Sequence, residues 1–136
     1  MTGKLLSLAL VFMLGACASL SRPGPDGISA SKVPGTYYKG DGLGENISLE
    51  LREDGTYSAQ WHGCLGSYGS ASGTWRLSGN DVELTPVAET DMLVGYLRTL
   101  SLYRSWPNYM LARRQESGLG NGGGVREFED TFRRSR

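Results

Sequence analysis

Residues 46–86 constrain the chain more than any other stretch, because apolar and polar side chains alternate there through four successive segments. Ile47, Leu49 and Leu51 alternate with Ser48, Glu50 and Arg52, and Tyr57, Ala59 and Trp61 alternate with Ser58, Gln60 and His62. Trp75 and Leu77 are set against Thr74 and Arg76, and Val82 and Leu84 against Asp81, Glu83 and Thr85. Neighbouring side chains of a strand point to opposite faces, so each segment buries one face and wets the other. Glu53-Asp54-Gly55 and Ser78-Gly79-Asn80 each carry a glycine able to take the left-handed conformation of a tight hairpin. The four segments therefore read as an antiparallel meander with one core face.

Around this meander, Gly35-Thr36-Tyr37-Tyr38-Lys39 reads as a first strand and residues 109–113 as a last one. Residues 94–104 read as a longer strand with Leu100 and Leu102 on one face, which brings the strands to seven. Trp106-Pro107-Asn108 has the composition of a turn. Glycine makes up 20 of the 136 residues, about twice its usual share, as many tight strand connections require. The expected fold is all-β, an antiparallel up-and-down meander over residues 35–114 that closes into a small barrel or half-barrel. Residues 115–136 are expected to hold a glycine-rich break and a short C-terminal helix, because Val125, Phe128 and Phe132 recur at the spacing of one helical face. Acidic residues fall early in that helix and Arg133, Arg134 and Arg136 late, the order its dipole favours. Its Phe stripe is expected to cover the open edge of the barrel.

Charge balances over the chain but not along it. Residues 23–97 carry four Lys or Arg against ten Asp or Glu, whereas residues 98–136 carry eight Arg against four Glu or Asp. The two parts are expected to attract each other, and a net charge of zero gives no case for nucleic acid as a partner.

At the N-terminus Lys4 precedes an unbroken run of small and apolar residues from Leu5 to Ala16. Such a run suits the apolar region of an export signal and is short of the roughly 20 residues a spanning helix needs. Leu14-Gly15-Ala16-Cys17 then resembles the lipobox of bacterial lipoproteins. The resemblance implies a signal peptide over residues 1–16, a diacylglycerol thioether on Cys17, and membrane anchoring by two or three acyl chains. Ala18 in place of an Asp favours, by the same resemblance, the outer membrane of the envelope, facing the periplasm. Residues 17–34 comprise the lipidated cysteine and a flexible tether, in which Ser19 to Pro34 is rich in Ser, Pro and Gly and reads as solvated.

Chemistry-bearing residues are sparse. The chain has one histidine, His62, expected on the polar face, and Cys64 lies two residues on. If the strand continued, both would project on one side, yet two ligands fall short of the three or four that zinc sites use. Cys64, unpaired once Cys17 carries lipid, is expected to be buried or half-buried beneath the loop at residues 63–69. Gly118-Leu119-Gly120-Asn121-Gly122-Gly123 spells a dinucleotide-binding motif but follows no first βαβ strand and lacks the acidic residue ~20 positions on, so it is rejected. Asn46-Ile47-Ser48 is a glycosylation sequon with little meaning on a bacterial export route. Tyr57, Trp61 and Trp75 share the inward face and either fill the barrel or line a ligand cup; as neighbours in adjacent hairpins they are expected to touch one another.

The GTYYKG run, the DGTY hairpin and the SGTW strand resemble the small lipocalin-like barrels of bacterial lipoproteins, including copper-homeostasis and envelope-stress types. Copper-linked members carry a Cys-x-x-Cys pair, whereas this chain has Cys64 alone at the comparable loop. The resemblance implies a lipid-anchored, non-enzymatic binding or structural module without cofactor, whose partners are the membrane and a small apolar ligand or an envelope protein. The alternative is a thiol- or copper-responsive sensor acting through His62 and Cys64, with no metal site otherwise expected. The lack of a clustered acid, base and nucleophile argues against an enzyme.

Overall fold

A computed structural model describes residues 27–105, 108–113 and 131–135. Among them are eight strands: β1 (Gly35–Gly40), β2 (Asn46–Leu51), β3 (Thr56–Gly63), β4 (Gly66–Ser78), β5 (Asp81–Glu89), β6 (Thr99–Ser105), β7 (Asn108–Arg113) and β8 (Thr131–Arg134). Each pairs antiparallel with the next, and β8 returns to β1 through Tyr37 opposite Arg134 and Tyr38 opposite Arg133. The sheet is a closed up-and-down barrel, so its hydrogen-bonding edges satisfy one another.

The inward face follows the alternation. Tyr37, Ile47, Leu49, Leu51, Tyr57, Ala59, Leu77, Val82, Leu84, Leu100, Leu102, Leu111 and Phe132 are all buried and form one cluster. The interior is thus filled by side chains, as in other barrels of this strand number. Gly55 (φ +81°) and Gly79 (φ +63°) turn the β2–β3 and β4–β5 hairpins in the left-handed region. Gly73 sits at a bulge in the β4–β5 ladder, and a Cβ there would lie 2.1 Å from the Thr85 carbonyl oxygen and 2.9 Å from Tyr57 Cε1. Only a hydrogen fits between the bent strand and the Tyr57 ring.

The two ends of the barrel differ. At one end a 3-10 turn (Ala30–Lys32) precedes β1, and Ile28 and Val33 on either side of it are buried. The Tyr37 hydroxyl donates to the Val33 carbonyl at 2.6 Å, while the Arg134 guanidinium donates to the carbonyls of Lys32 (3.2 Å) and Pro34 (2.6 Å). This end is closed. The tether expected to be solvated through Pro34 is therefore packed structure from Ile28 on: two apolar side chains in a polar segment are enough to dock it once a barrel end needs covering.

Two other expectations change. Thr131–Arg134 is a strand, not the end of a helix; Phe132 lies opposite Leu111 of β7 and is fully buried. Val125 and Phe128 lie outside the described residues. The unpaired edges of β1 and β7 demand a strand between them, and that demand outweighs a local 3.6-residue pattern. The strand expected from residue 94 begins at Thr99. Before it, Asp91–Leu93 forms a second 3-10 turn and residues 94–98 a loop that buries Leu93 and Leu97 over the core.

Candidate functional site at the barrel mouth

The end opposite the 3-10 plug at Ala30–Lys32 carries the β1–β2, β3–β4 and β5–β6 connections and the ends of β7 and β8. It holds a cleft of about 850 Å³ lined by side chains that include Lys39, Glu45, Trp61, Tyr96, Arg113 and Arg133. The β1–β8 ladder runs through Tyr38–Arg133, and mouthward of it Lys39, Gly40 and Thr131 border this cleft.

Lys39 organises the site. It follows Tyr37 by two residues and so points inward, where it is only 7% exposed. An ammonium taken from water needs partners, and Lys39 Nζ has Glu45 Oε1 at 2.7 Å and the Tyr96 hydroxyl at 2.8 Å. The Tyr96 hydroxyl lies 3.3 Å from the same Glu45 oxygen. The Arg113 guanidinium, inward on β7 two residues after Leu111, stacks on the Tyr96 ring at 4.2 Å, and the Trp61 ring meets the same Tyr96 ring at 5.2 Å between centroids and 57° between planes. Burial raises the Tyr96 hydroxyl above the usual tyrosine range, with Lys39 pulling the other way.

Tyr96 reaches this position because its loop is latched. Arg98 grips Glu89 through both carboxylate oxygens at 2.5 and 2.8 Å, and the Gly95 amide donates to the same carboxylate at 3.3 Å. The Arg98 hydrogen bond holds the Glu89 carboxyl below the ordinary range. Across the mouth, Asp41 accepts from the amides of Leu43, Gly44 and Glu45, an Asx turn that sets Glu45 opposite Lys39 and lowers the Asp41 carboxyl.

The expected site residues are dispersed. Tyr57 is 1% exposed and belongs to the core, with its hydroxyl buried and without a hydrogen-bond partner. Trp75 lies at the closed end, its indole N–H donating to the Arg52 carbonyl at 2.8 Å. Trp61 lines the cleft, ~13 Å from Tyr57 along β3 at four residues' separation, and its buried indole nitrogen also has no hydrogen-bond partner. The three aromatics therefore do not stack as one cup; Trp61's ring partner is Tyr96. His62 is exposed beside Gln60 at 3.0 Å. Cys64 is exposed rather than buried, its thiol on the Leu43 carbonyl. A register shift between Trp61 and His62, and the turn at Cys64-Leu65, break the period that would have aligned the two. Among the described residues no three His, Cys, Asp or Glu gather to hold a metal. Cys17 and its surroundings lie outside the described residues.

No protein-family model, characterised protein or solved structure matches the chain. The cleft must be read from its own chemistry. The sequence reading missed Lys39, Tyr96 and Arg113, although two of them carried a signal: Lys39 shares Tyr37's face and Arg113 shares Leu111's, so each is a charge on a core-facing position. Tyr96 carried none, because its segment read as strand.

Proposed function

We propose that the protein is a lipid-anchored lipoprotein of the cell envelope, held through Cys17, whose lipocalin-like barrel is a non-enzymatic module that binds a small ligand at its mouth. The observation that carries the binding part is the cleft of about 850 Å³ whose polar groups converge from β1, β3, β7, β8 and two loops. Concave sites with a few placed polar groups and aromatic walls are the usual form of small-molecule sites. Lys39, Glu45 and Tyr96 hydrogen-bond one another, an arrangement that supports recognition of a polar group. The anchor rests on the Leu14-Gly15-Ala16-Cys17 segment, and with it the outer membrane facing the periplasm.

Native mass spectrometry of the protein extracted from its own membranes tests both parts. The mature chain is expected to begin at Cys17 with acyl groups attached, and Cys17→Ser to remain unprocessed. A further non-covalent mass is expected on the wild type and on Cys64→Ala, and to be lost from Trp61→Ala. A soluble mature form without lipid overturns the anchor, and a bound mass indifferent to Trp61 overturns the site. A bound metal lost in both His62→Ala and Cys64→Ala would establish the sensor instead.

A further inference from the structure

Resting on the mouth as the binding site, we infer that its ligand is an anionic amphiphile taken head first: the acidic group enters the cleft and the hydrocarbon stays outside on the loop rim. Three features of the mouth agree on this. The interior cannot take a chain, since its core side chains are 0–6% exposed and Leu93 and Leu97, both 0%, roof it below the loops. Among the described residues the cleft is lined by three cations, Lys39, Arg113 and Arg133, and two carboxylates; Glu45 is held by Lys39, and Asp41 is turned to its own loop amides. The buried, partnerless Trp61 indole N–H is a donor that an acceptor-rich head group satisfies. An Arg fork, a Lys ammonium and an N–H donor are what carboxylate, sulfate or phosphate oxygens match.

The rim supplies the rest. Leu43 (73% exposed), Leu65 (91%), Met92 (59%) and Val94 (62%) stand out from the three connections of this same end. The connections are tied together, the β1–β2 loop to the β3–β4 turn by the Cys64 thiol on the Leu43 carbonyl, and β4 to the β5–β6 loop by the Thr90 amide on the Ser70 carbonyl at 2.8 Å. Exposed apolar side chains on the connections of the end that holds the polar cleft fit a ligand with a short greasy part that must lie outside the filled barrel.

The test uses the full-length lipidated protein in phosphatidylcholine nanodiscs, titrated with hexyl phosphate, hexyltrimethylammonium, hexanol or inorganic phosphate, with tryptophan fluorescence read against empty discs. Hexyl phosphate is expected to give a saturable change that Trp61→Phe removes, with inorganic phosphate and hexanol weaker by on the order of tenfold each and the cation inert. Arg133→Glu, at an exposed position that leaves the fold intact, is expected to weaken hexyl phosphate by on the order of tenfold at unchanged melting temperature. Leu43→Ser with Leu65→Ser should weaken hexyl phosphate and leave inorganic phosphate where it was. If hexanol or the cation binds through Trp61 as tightly as hexyl phosphate, the ligand class is wrong while the mouth stands as the site. If inorganic phosphate matches hexyl phosphate, the rim has no part. If no probe alters Trp61 the inference falls, and the bound mass on the native protein decides the mouth separately.

Discussion

Lys39 shows how one side chain on the wrong face of a pattern locates a site. Its alternation with Tyr37 points it into the barrel, and the cost of burying an ammonium draws in Glu45 and Tyr96. The tyrosines report the same physics in their titration. Burial raises the hydroxyls of Tyr37, Tyr57 and Tyr96 above the ordinary value of 10.0. An acid whose folded pKa is raised contributes stability that is whole below its unfolded pKa and is lost as the pH climbs through the folded one. Absorbance at the phenolate band is therefore expected to show three tyrosines ionising above pH 10, together with unfolding; three that ionise at the ordinary value in a folded barrel would contradict the burial. At Gly73 the limit is space. Gly73→Ala places a Cβ 2.1 Å from the Thr85 carbonyl oxygen and is expected to lower urea stability by about 3 kcal/mol or more, whereas Gly44→Ala, with nothing within 4 Å, should stay within ~0.5 kcal/mol.

Among the elements, β8 teaches the most. The meander was legible because hairpins pair neighbours in sequence and each strand's alternation is read locally; Ile47 to Leu84 face as their pattern says. The closing strand was not legible, because nothing in Thr131-Phe132-Arg133-Arg134 outweighs the i, i+3, i+7 spacing of Val125, Phe128 and Phe132. What decides its form is the pair of open edges on β1 and β7, a property of the folded sheet. Phe132 faces the core from the strand that closes the sheet, so the expected helical lid is not what covers the edge. Truncating it is expected to cost about 3–5 kcal/mol, a large part of the 5–15 kcal/mol that a domain of this kind commonly has. Phe132→Ala should therefore melt far below wild type; a variant that melts within a few degrees of it would mean that β8 does not close the barrel. The 3-10 plug was hidden for a related reason: Ile28 and Val33 have no period to betray them, and only the barrel end they cover gives them a role.

In the assembled protein the plug and the mouth lie at opposite ends, and this orders the proposed function. The chain enters the barrel at the plugged end, and the residues from the proposed lipid on Cys17 to Gly27 reach at most ~35 Å when extended. Under the proposed anchor the tether joins the barrel at its closed end, across from the mouth. Glu89–Arg98 joins the acidic part to the basic part and holds the loop that presents Tyr96, whereas Lys39–Glu45, Arg52–Glu50 and Arg76–Glu83 lie within the acidic part. Lowering the pH through the depressed Glu89 pKa removes stability that is whole above the unfolded value, so acid is expected to loosen the mouth loop, read as faster amide exchange at Gly95, before the barrel unfolds. Whether ligands act at the mouth of a filled barrel or within it can be mapped amide by amide, by hydrogen exchange of the full-length protein in nanodiscs with and without saturating hexyl phosphate. The prediction is protection confined to the mouth, at Lys39, Glu45, Trp61, Tyr96 and Arg113, with Leu49, Tyr57, Leu84 and Leu102 unchanged. Changes centred on those four core residues would show that the barrel opens to take its ligand inside, and would contradict the account.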